Sequence, residues 1–407
     1  MHPRARAPGS ALALPHRTSW EVVRMLALTY HGPKNVRVEE NPEPRVQHPN
    51  DVVLRVSRAT ICGSDLHLYH GYVPDTRVGT IFGHEFTGVV EELGASVQTL
   101  KRGDRVVVPF NIACGTCFFC QRERTSACEN TNPLTTLASG IFGYSHTTGG
   151  YQGGQAERVR VPFADVGPMK IPDDLSDEDA LFLSDILPTG YQAAEMGDIG
   201  PADTVAVFGC GPVGLVAQRC AWILGARRVI AVDSVGYRLD FARRHNKAET
   251  LDFSETPDVV SALRDMTDGR GPDVCIEAVG LEANGSALHD VLGKALKLEA
   301  GSPVALNWAI QSVRRGGRVS IVGVYGPPWN LLDVGAAMNK GLTIKTGQCD
   351  VKRYMPRLLE HVRSGNIDPR ALITHRAPLE AAPEMYRVFA ARTDGILKCV
   401  LIPRGAK

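Results

Sequence analysis

The chain has 407 residues, 43% apolar and 22% charged, a balance that suits a globular protein large enough for two cores. Its formal net charge of +1 argues against a nucleic-acid surface or an anionic membrane as the main partner. No uninterrupted apolar stretch approaches membrane-spanning length.

Residues 1–24, MHPRARAPGSALALPHRTSWEVVR, are rich in Arg, Pro and Ala and carry one acid, Glu21. The apolar ALALP is too short for a secretory signal, and three prolines spoil an amphipathic transit helix. The expectation is a disordered extension over 1–24, or an upstream start codon with Met25 as the natural beginning. From Met25 to about Val161, short apolar runs are broken by Gly and Pro: DVVLRVSRATICG, TIFGHEFTGVVEELG, RGDRVVVPF. These read as strands of a β-rich domain. The pattern then turns helical over SDEDALFLSDILPTGYQAAEMG, with Ser176 as N-cap and acids in the first turn. Inside it, Asp185 interrupts the apolar run LFLSDILPTG. An ionised carboxylate there needs a wet helix end or a cation.

From Asp203 the chain alternates strand and helix. TVAVFG, RVIAVD, DVCIEAVG, GRVSIVGV and LTIKTGQ read as strands, and GPVGLVAQRCAWILGA as a helix, which predicts a parallel sheet wrapped by helices. The tail from Val351 to Lys407 returns to helix and short strands. The predicted class is α/β: a β-rich domain over 25–190 and 346–407, and a doubly wound parallel-sheet domain over 191–345. Two segments, 131–155 and 281–304, are long for simple connections and read as functional or mobile.

Three constellations carry chemistry. In ACGTCFFCQRERTSAC, Cys114, Cys117, Cys120 and Cys128 are separated by two, two and seven residues, so that one loop can wrap a tetrahedral ion. Zinc is the expected occupant, although the spacing alone also permits two disulfides or an iron–sulfur cluster. After the strand TVAVFG, Gly209, Gly211 and Gly214 form G-x-G-x-x-G, which lets a pyrophosphate approach a helix N-terminus. Nineteen residues past Gly214 stands Asp233, placed to accept hydrogen bonds from an adenosine ribose and to favour NAD over NADP. Finally, ATICGSDLH offers Cys62, Ser64 and His67, and FGHEF offers His84 and Glu85. Singly each has a bland reading as a core or surface residue. Together they supply one thiolate and one imidazole, two-thirds of an open catalytic zinc site.

The order ICGSDLH, GHEFTGVVEELG, GDRVVVPF, the four-Cys loop, and VFGCGPVG with Asp233 resembles the zinc-dependent medium-chain alcohol dehydrogenases. Within them, GGQAERVRVPFADV, LFLSDILPTGYQAA, the long segment after EAVG, and GVYG resemble the branch around glutathione-independent formaldehyde dehydrogenase. The resemblance runs from Met25 onward. It implies a GroES-like catalytic domain and a Rossmann domain with the active cleft between them, and two zinc ions per chain. Cys62, His84 and Asp185 would hold the catalytic zinc and the four-Cys loop the structural one. Glu85 would be a nearby carboxylate and alternate ligand. Ser64 would hydrogen-bond the reacting oxygen, and His67 would complete a proton relay. Cofactor contacts are expected from Gly209, Gly211, Pro212, Val213, Gly214, Asp233 and Arg238.

The implied reaction is hydride transfer between NAD and a small alcohol or aldehyde hydrate, with formaldehyde the first candidate. Alternatives within the class are aldehyde dismutation with tightly held NAD, and oxidation of longer alcohols or polyols. A non-catalytic NAD-binding protein is disfavoured, because Cys62, Ser64, His67, His84 and Asp185 are all present. Family habit implies a cytoplasmic homodimer or homotetramer acting on a small-molecule substrate.

Overall fold

A computed structural model describes residues 23–134, 138–280, 303–325 and 332–406. Six parallel strands form one sheet in the order Glu249–Asp252, Arg228–Asp233, Thr204–Phe208, Val274–Glu277, Arg318–Ile321, Thr343–Thr346. Thr204–Phe208 is buried along its whole length, as a central parallel strand covered on both faces must be. Its side chains alternate between two cores. Val205 and Val207 join Leu215, Val216 and Ala217 of the helix Pro212–Ile223 on one face. Ala206 and Phe208 join Leu306, Ala309 and Ile310 of the helix Val304–Ser312 on the other. The strand order reverses between Thr204–Phe208 and Val274–Glu277, and ligand crevices in such sheets open at that point. The sheet includes one strand not anticipated from sequence, Glu249–Asp252. Its four residues, ETLD, carry too many acids to read as a buried run, and it occupies an edge.

The second sheet is mostly antiparallel and is organised around Val52–Thr60, which pairs with Phe86–Leu93, Arg158–Val161 and Lys398–Ile402. The C-terminal strand aligns Val400 with Thr60 and Leu401 with Ala59, so the end of the chain closes the sheet built by its beginning. The first strand starts at Arg24, one residue inside the extension expected over 1–24; residues 1–22 lie outside the described residues. So do 135–137 and most of the second long connection, 281–302.

Two helical features depart from the sequence reading. Gly63–His70 is a helix in a region read as all strand. It buries Asp65, Leu66, His67, Leu68 and Tyr69 in succession, so it shows no one-sided apolar periodicity. Conversely, the single helix expected from Ser176 onward is broken. Ser176 does cap its start, its hydroxyl accepting from Asp179 N at 3.2 Å. But Asp177–Leu181 passes into a tight turn over Phe182–Ser184, Asp185 leaves helical geometry (φ −154°, ψ −76°), and a new helix runs Ile186–Met196. The break turns the Asp185 carboxylate toward Cys62 and His84.

Candidate active site

Four buried side chains converge where the helix Gly63–His70 begins and the strand Phe86–Leu93 is entered: Cys62, His84, Glu85 and Asp185, whose ligand atoms all lie within 4.8 Å of one another. Asp185 Oδ2 is 3.5 Å from Cys62 Sγ and 3.3 Å from His84 Nε2. A tetrahedral zinc with ordinary bond lengths separates an O–S pair by about 3.6 Å and an O–N pair by about 3.4 Å. The spacing fits zinc without rearrangement. The donors are oriented from behind. Asp65 Oδ1 lies 3.1 Å from His84 Nδ1, and its Oδ2 accepts the Cys62 N–H at 2.9 Å. Thr189, one turn beyond Asp185, donates from Oγ1 to Asp185 Oδ1 at 2.8 Å.

Electrostatics also call for a cation. Burial pushes the Cys62 thiol up, and the nearby Glu85 and Asp185 carboxylates push it further. Burial opposes charge on His84, but Asp65 and Asp185 on its two nitrogens outweigh that and hold its pKa well above an ordinary imidazole. Three potential anions thus share a dry site. Among the described residues Lys398 is in direct contact with Glu85: its Nζ contacts Oε2 and also donates to the Ile61 carbonyl at 3.0 Å. Burial raises Glu85 to about 7 against the pull of that ammonium.

Ser64 Oγ stands 3.4 Å from His84 Nε2 on the cleft side of the cluster. His67, one helical turn on and buried, has Nδ1 3.4 Å from the hydroxyl of Tyr144. The cleft, about 770 Å3, reaches from Cys62, Ser64, His67, His84 and Asp185 to Gly209, Gly211, Asp233 and Arg238, so these expected metal and cofactor residues share one cavity, while Glu85 and Gly214 lie outside its lining. At its far end Gly209 adopts φ +91°, and a Cβ on Gly214 would stand 1.9 Å from the Gly209 carbonyl. Only glycine permits this strand-to-helix turn. Pro212 opens the following helix, where its missing N–H costs nothing, and Val213 lines the same wall. Asp233 accepts from Cys210 N at 2.6 Å, Ser234 N at 2.7 Å and Val235 N at 2.9 Å. Arg238 reaches over the turn, with Nη1 4.0 Å from a Cβ placed on Gly211.

The four-Cys loop forms a separate centre. Cys114 and Cys120 sulfurs are 4.0 Å apart, and those of Cys117 and Cys128 are 3.9 Å apart, too far for disulfides and near the ~3.8 Å edge of a tetrahedral zinc–sulfur site. Cys114 Sγ accepts from Thr116 N, Cys117 N and Asn130 Nδ2 at 3.3–3.4 Å. Burial disfavours its thiolate, yet the Thr116 hydroxyl and the N–H donors bring it down to about 6. Cys120 and Cys128 are instead pushed up, by burial first and then by neighbouring sulfurs. Four thiolates together would need a cation, and the cluster is one that could hold a zinc ion.

Residues 48–173 match the alcohol dehydrogenase GroES-like domain, and residues 212–298 match the zinc-binding dehydrogenase domain. An uncharacterized zinc-type alcohol dehydrogenase-like protein of Bacillus subtilis (strain 168) is 44% identical over 381 residues, spanning 93% of this chain and all of that one. The chain belongs to the zinc-dependent medium-chain alcohol dehydrogenase family. Its fold is accordingly a GroES-like β-rich unit joined to a Rossmann sheet. Alcohol dehydrogenase TADH from Thermus sp. ATN1 superimposes with a TM-score of 0.81 at 39% identity, over 93% of this chain and all of that one. The glutathione-independent formaldehyde dehydrogenase of Pseudomonas aeruginosa (strain LESB58) is 35% identical over 89% of this chain and 94% of its own.

Sequence reasoning missed several side chains of this dehydrogenase's cleft and metal surroundings. Asp65 and Thr189 were readable in principle, as the fourth residue of CGSD and as the i+4 partner of Asp185. Lys398, Tyr144, Gln155 and Tyr386 carry no local signal, because each meets the site only through long-range packing.

Proposed function

We propose that this dehydrogenase oxidises a small alcohol or an aldehyde hydrate with NAD. The observation that carries the proposal is the placement of Cys62, His84 and Asp185 at one end of a cleft whose other end is the glycine turn and Asp233. When bound, zinc supplies a Lewis acid that acidifies the substrate hydroxyl, and NAD supplies the hydride acceptor. Cys62, His84 and Asp185 would hold the metal with two negative donors and one neutral one, and Ser64 stands beside His84 on the cleft side. The Ser64 hydroxyl would accept the proton of the substrate oxygen while releasing its own toward solvent, with His67, beside Tyr144, as the base of that relay. Phe110, edge-on to the His84 ring at 6.0 Å, gives the metal donors an apolar neighbour on the cleft wall. The Asp233 carboxylate faces the cleft while braced by three backbone N–H groups, which favours a ribose diol and repels a 2′-phosphate.

Formaldehyde is the first candidate substrate, supported by the 35% identity to a formaldehyde dehydrogenase. One observation favours a second reading, a longer alcohol: the cleft that Ser64 lines is also lined by Val73, Pro74, Ile141 and Tyr144, side chains suited to a substrate with an apolar body. The deciding experiment is a nicotinamide-reduction screen over formaldehyde, short and longer alcohols and polyols, with NAD or NADP and with or without thiols. Turnover of an aldehyde with no added cofactor would instead identify a dismutase. Absence of turnover with every alcohol and aldehyde overturns the proposal.

A homodimer or homotetramer in the cytoplasm completes the reading. It is supported by exposed Val334, Met338 and Ile344 beside the edge strand Thr343–Thr346, and by ten cysteines that are all free. Light scattering of the purified protein checks the assembly.

A further inference from the structure

Behind His84 a chain of polar contacts runs through three buried side chains from distant parts of the chain: the Asp65 carboxylate faces the imidazole, and the hydrogen bonds behind it run from Tyr386 through Gln155 toward Asp65. Asp65 Oδ1 faces His84 Nδ1 at 3.1 Å. Asp65 Oδ2 accepts from Gln155 Nε2 at 3.3 Å, and the same amide nitrogen donates to the Thr60 carbonyl at 3.0 Å. Gln155 Oε1 accepts from the Tyr386 hydroxyl at 2.9 Å. Gln155, Asp65 and Tyr386 are each fully buried. Tyr386 comes from the C-terminal helix Ala382–Ala391.

The partners leave the Gln155 amide one orientation. Its NH2 faces two acceptors and its oxygen faces a hydroxyl donor; a flipped amide would set its oxygen against both the Thr60 carbonyl and the Asp65 carboxylate. Its backbone is pinned as well, with Gln155 N donating to Phe82 O at 3.0 Å and Gln155 O accepting from Leu28 N at 2.9 Å. The side chain lies directly under the residue before His84, since a Cβ on Gly83 would fall 2.4 Å from Gln155 Cγ.

We propose that Gln155 and Tyr386 are positioning residues of the catalytic metal centre. The Tyr386 hydroxyl fixes the Gln155 amide, and the amide fixes the Asp65 carboxylate under His84 Nδ1. The proton therefore stays on Nδ1, and the Nε2 lone pair is presented to the metal. The inference rests on Cys62, His84 and Asp185 holding zinc. It adds that the C-terminal helix sets the stability of that centre through one hydroxyl.

The test is zinc release from the zinc-loaded protein to a chromogenic chelator, in which the four-Cys centre serves as an internal control. The variants are Tyr386→Phe, which removes one oxygen, and Gln155→Met, which keeps the volume and removes the amide. Val90→Ala, in the same apolar cluster but outside the chain of hydrogen bonds, reports general loosening. Each positioning variant is expected to speed release of one zinc by about tenfold, the low end for groups that orient a metal ligand. Release of the second zinc stays unchanged. Gln155→Met carries the same test should Tyr386→Phe fail to fold.

Unchanged release of the first zinc overturns the proposal. So does an acceleration matched by Val90→Ala at an equal loss of Tm, because packing alone then explains it. A wild type that releases a single zinc, or whose first-released zinc survives Cys62→Ser, overturns the metal reading beneath it, and the proposal with it.

Discussion

Lys398 and Glu85, more than three hundred residues apart in sequence, form an ion pair in which neither side chain is exposed to solvent. Removing one member of such a pair strands the other charge in a dry site and costs about 3–5 kcal/mol, whereas replacing both costs far less. Lys398→Met should therefore lower Tm markedly, and Lys398→Met with Glu85→Leu should recover part of the loss. A double-mutant cycle by thermal denaturation measures the coupling. Additive losses would mean that the contact contributes nothing.

Asp185→Asn and Cys62→Ser each remove a negative donor from the cluster of Cys62, His84 and Asp185. Both variants should bind one zinc per chain where wild type binds two, with at least about 10²-fold weaker catalytic-site affinity and turnover reduced to background. Metal analysis after gel filtration reads the first effect and nicotinamide reduction the second. Full activity with two zinc ions would sink the assignment.

Asp233→Ser should raise the KM for NAD by roughly 10–100-fold, because a charged acceptor is lost from the expected ribose contact, from Cys210 N in the glycine turn, and from Ser234 N and Val235 N beside it. Discrimination against NADP should relax in the same variant. If wild type already prefers NADP, the role given to Asp233 is wrong.

Glu178 joins the short helix Asp177–Leu181 to the strand Ile373–Pro378 of the second sheet through Arg376, at 3.0 and 2.8 Å. Arg376, first by hydrogen bonding and then by charge, holds the Glu178 carboxyl below its ordinary 4.5, while burial opposes the shift. A depressed folded pKa stabilises the fold above the unfolded pKa, and that contribution is lost as pH falls through the folded value. The wild type should exceed Glu178→Gln in Tm by about 1–2 °C near neutral pH, from a pair contributing about 1 kcal/mol or less. The gap should close as pH drops below about 4.5. A gap that persists or grows in acid contradicts the ion-pair account.

Much of the fold and the four-Cys cluster were readable because their signals are local. Gly209, Gly211 and Gly214 must follow a strand and open a helix for the turn to close, and they do. The four cysteines lie within fifteen residues, so one loop brings Cys114 and Cys120 sulfurs to 4.0 Å and those of Cys117 and Cys128 to 3.9 Å. The strand Glu249–Asp252 and the helix Gly63–His70 escaped because periodicity reports one-sided burial. The first is a polar edge, and the second is buried almost all round.

The catalytic centre divides differently. The sequence by itself determined the donor types, a thiolate and an imidazole inside ICGSDLH and GHEF, and the oddity of a carboxylate in LFLSDILPTG. Only the tertiary structure decided that Asp185, more than a hundred residues from either, breaks its helix and comes within 3.5 Å of Cys62 Sγ and 3.3 Å of His84 Nε2. It alone also set Lys398 against Glu85, and Tyr386 and Gln155 behind Asp65. The reason is physical. Motifs record constraints among neighbours in the chain, whereas a buried charge or amide is satisfied by whichever distant group the closing of two sheets brings to it.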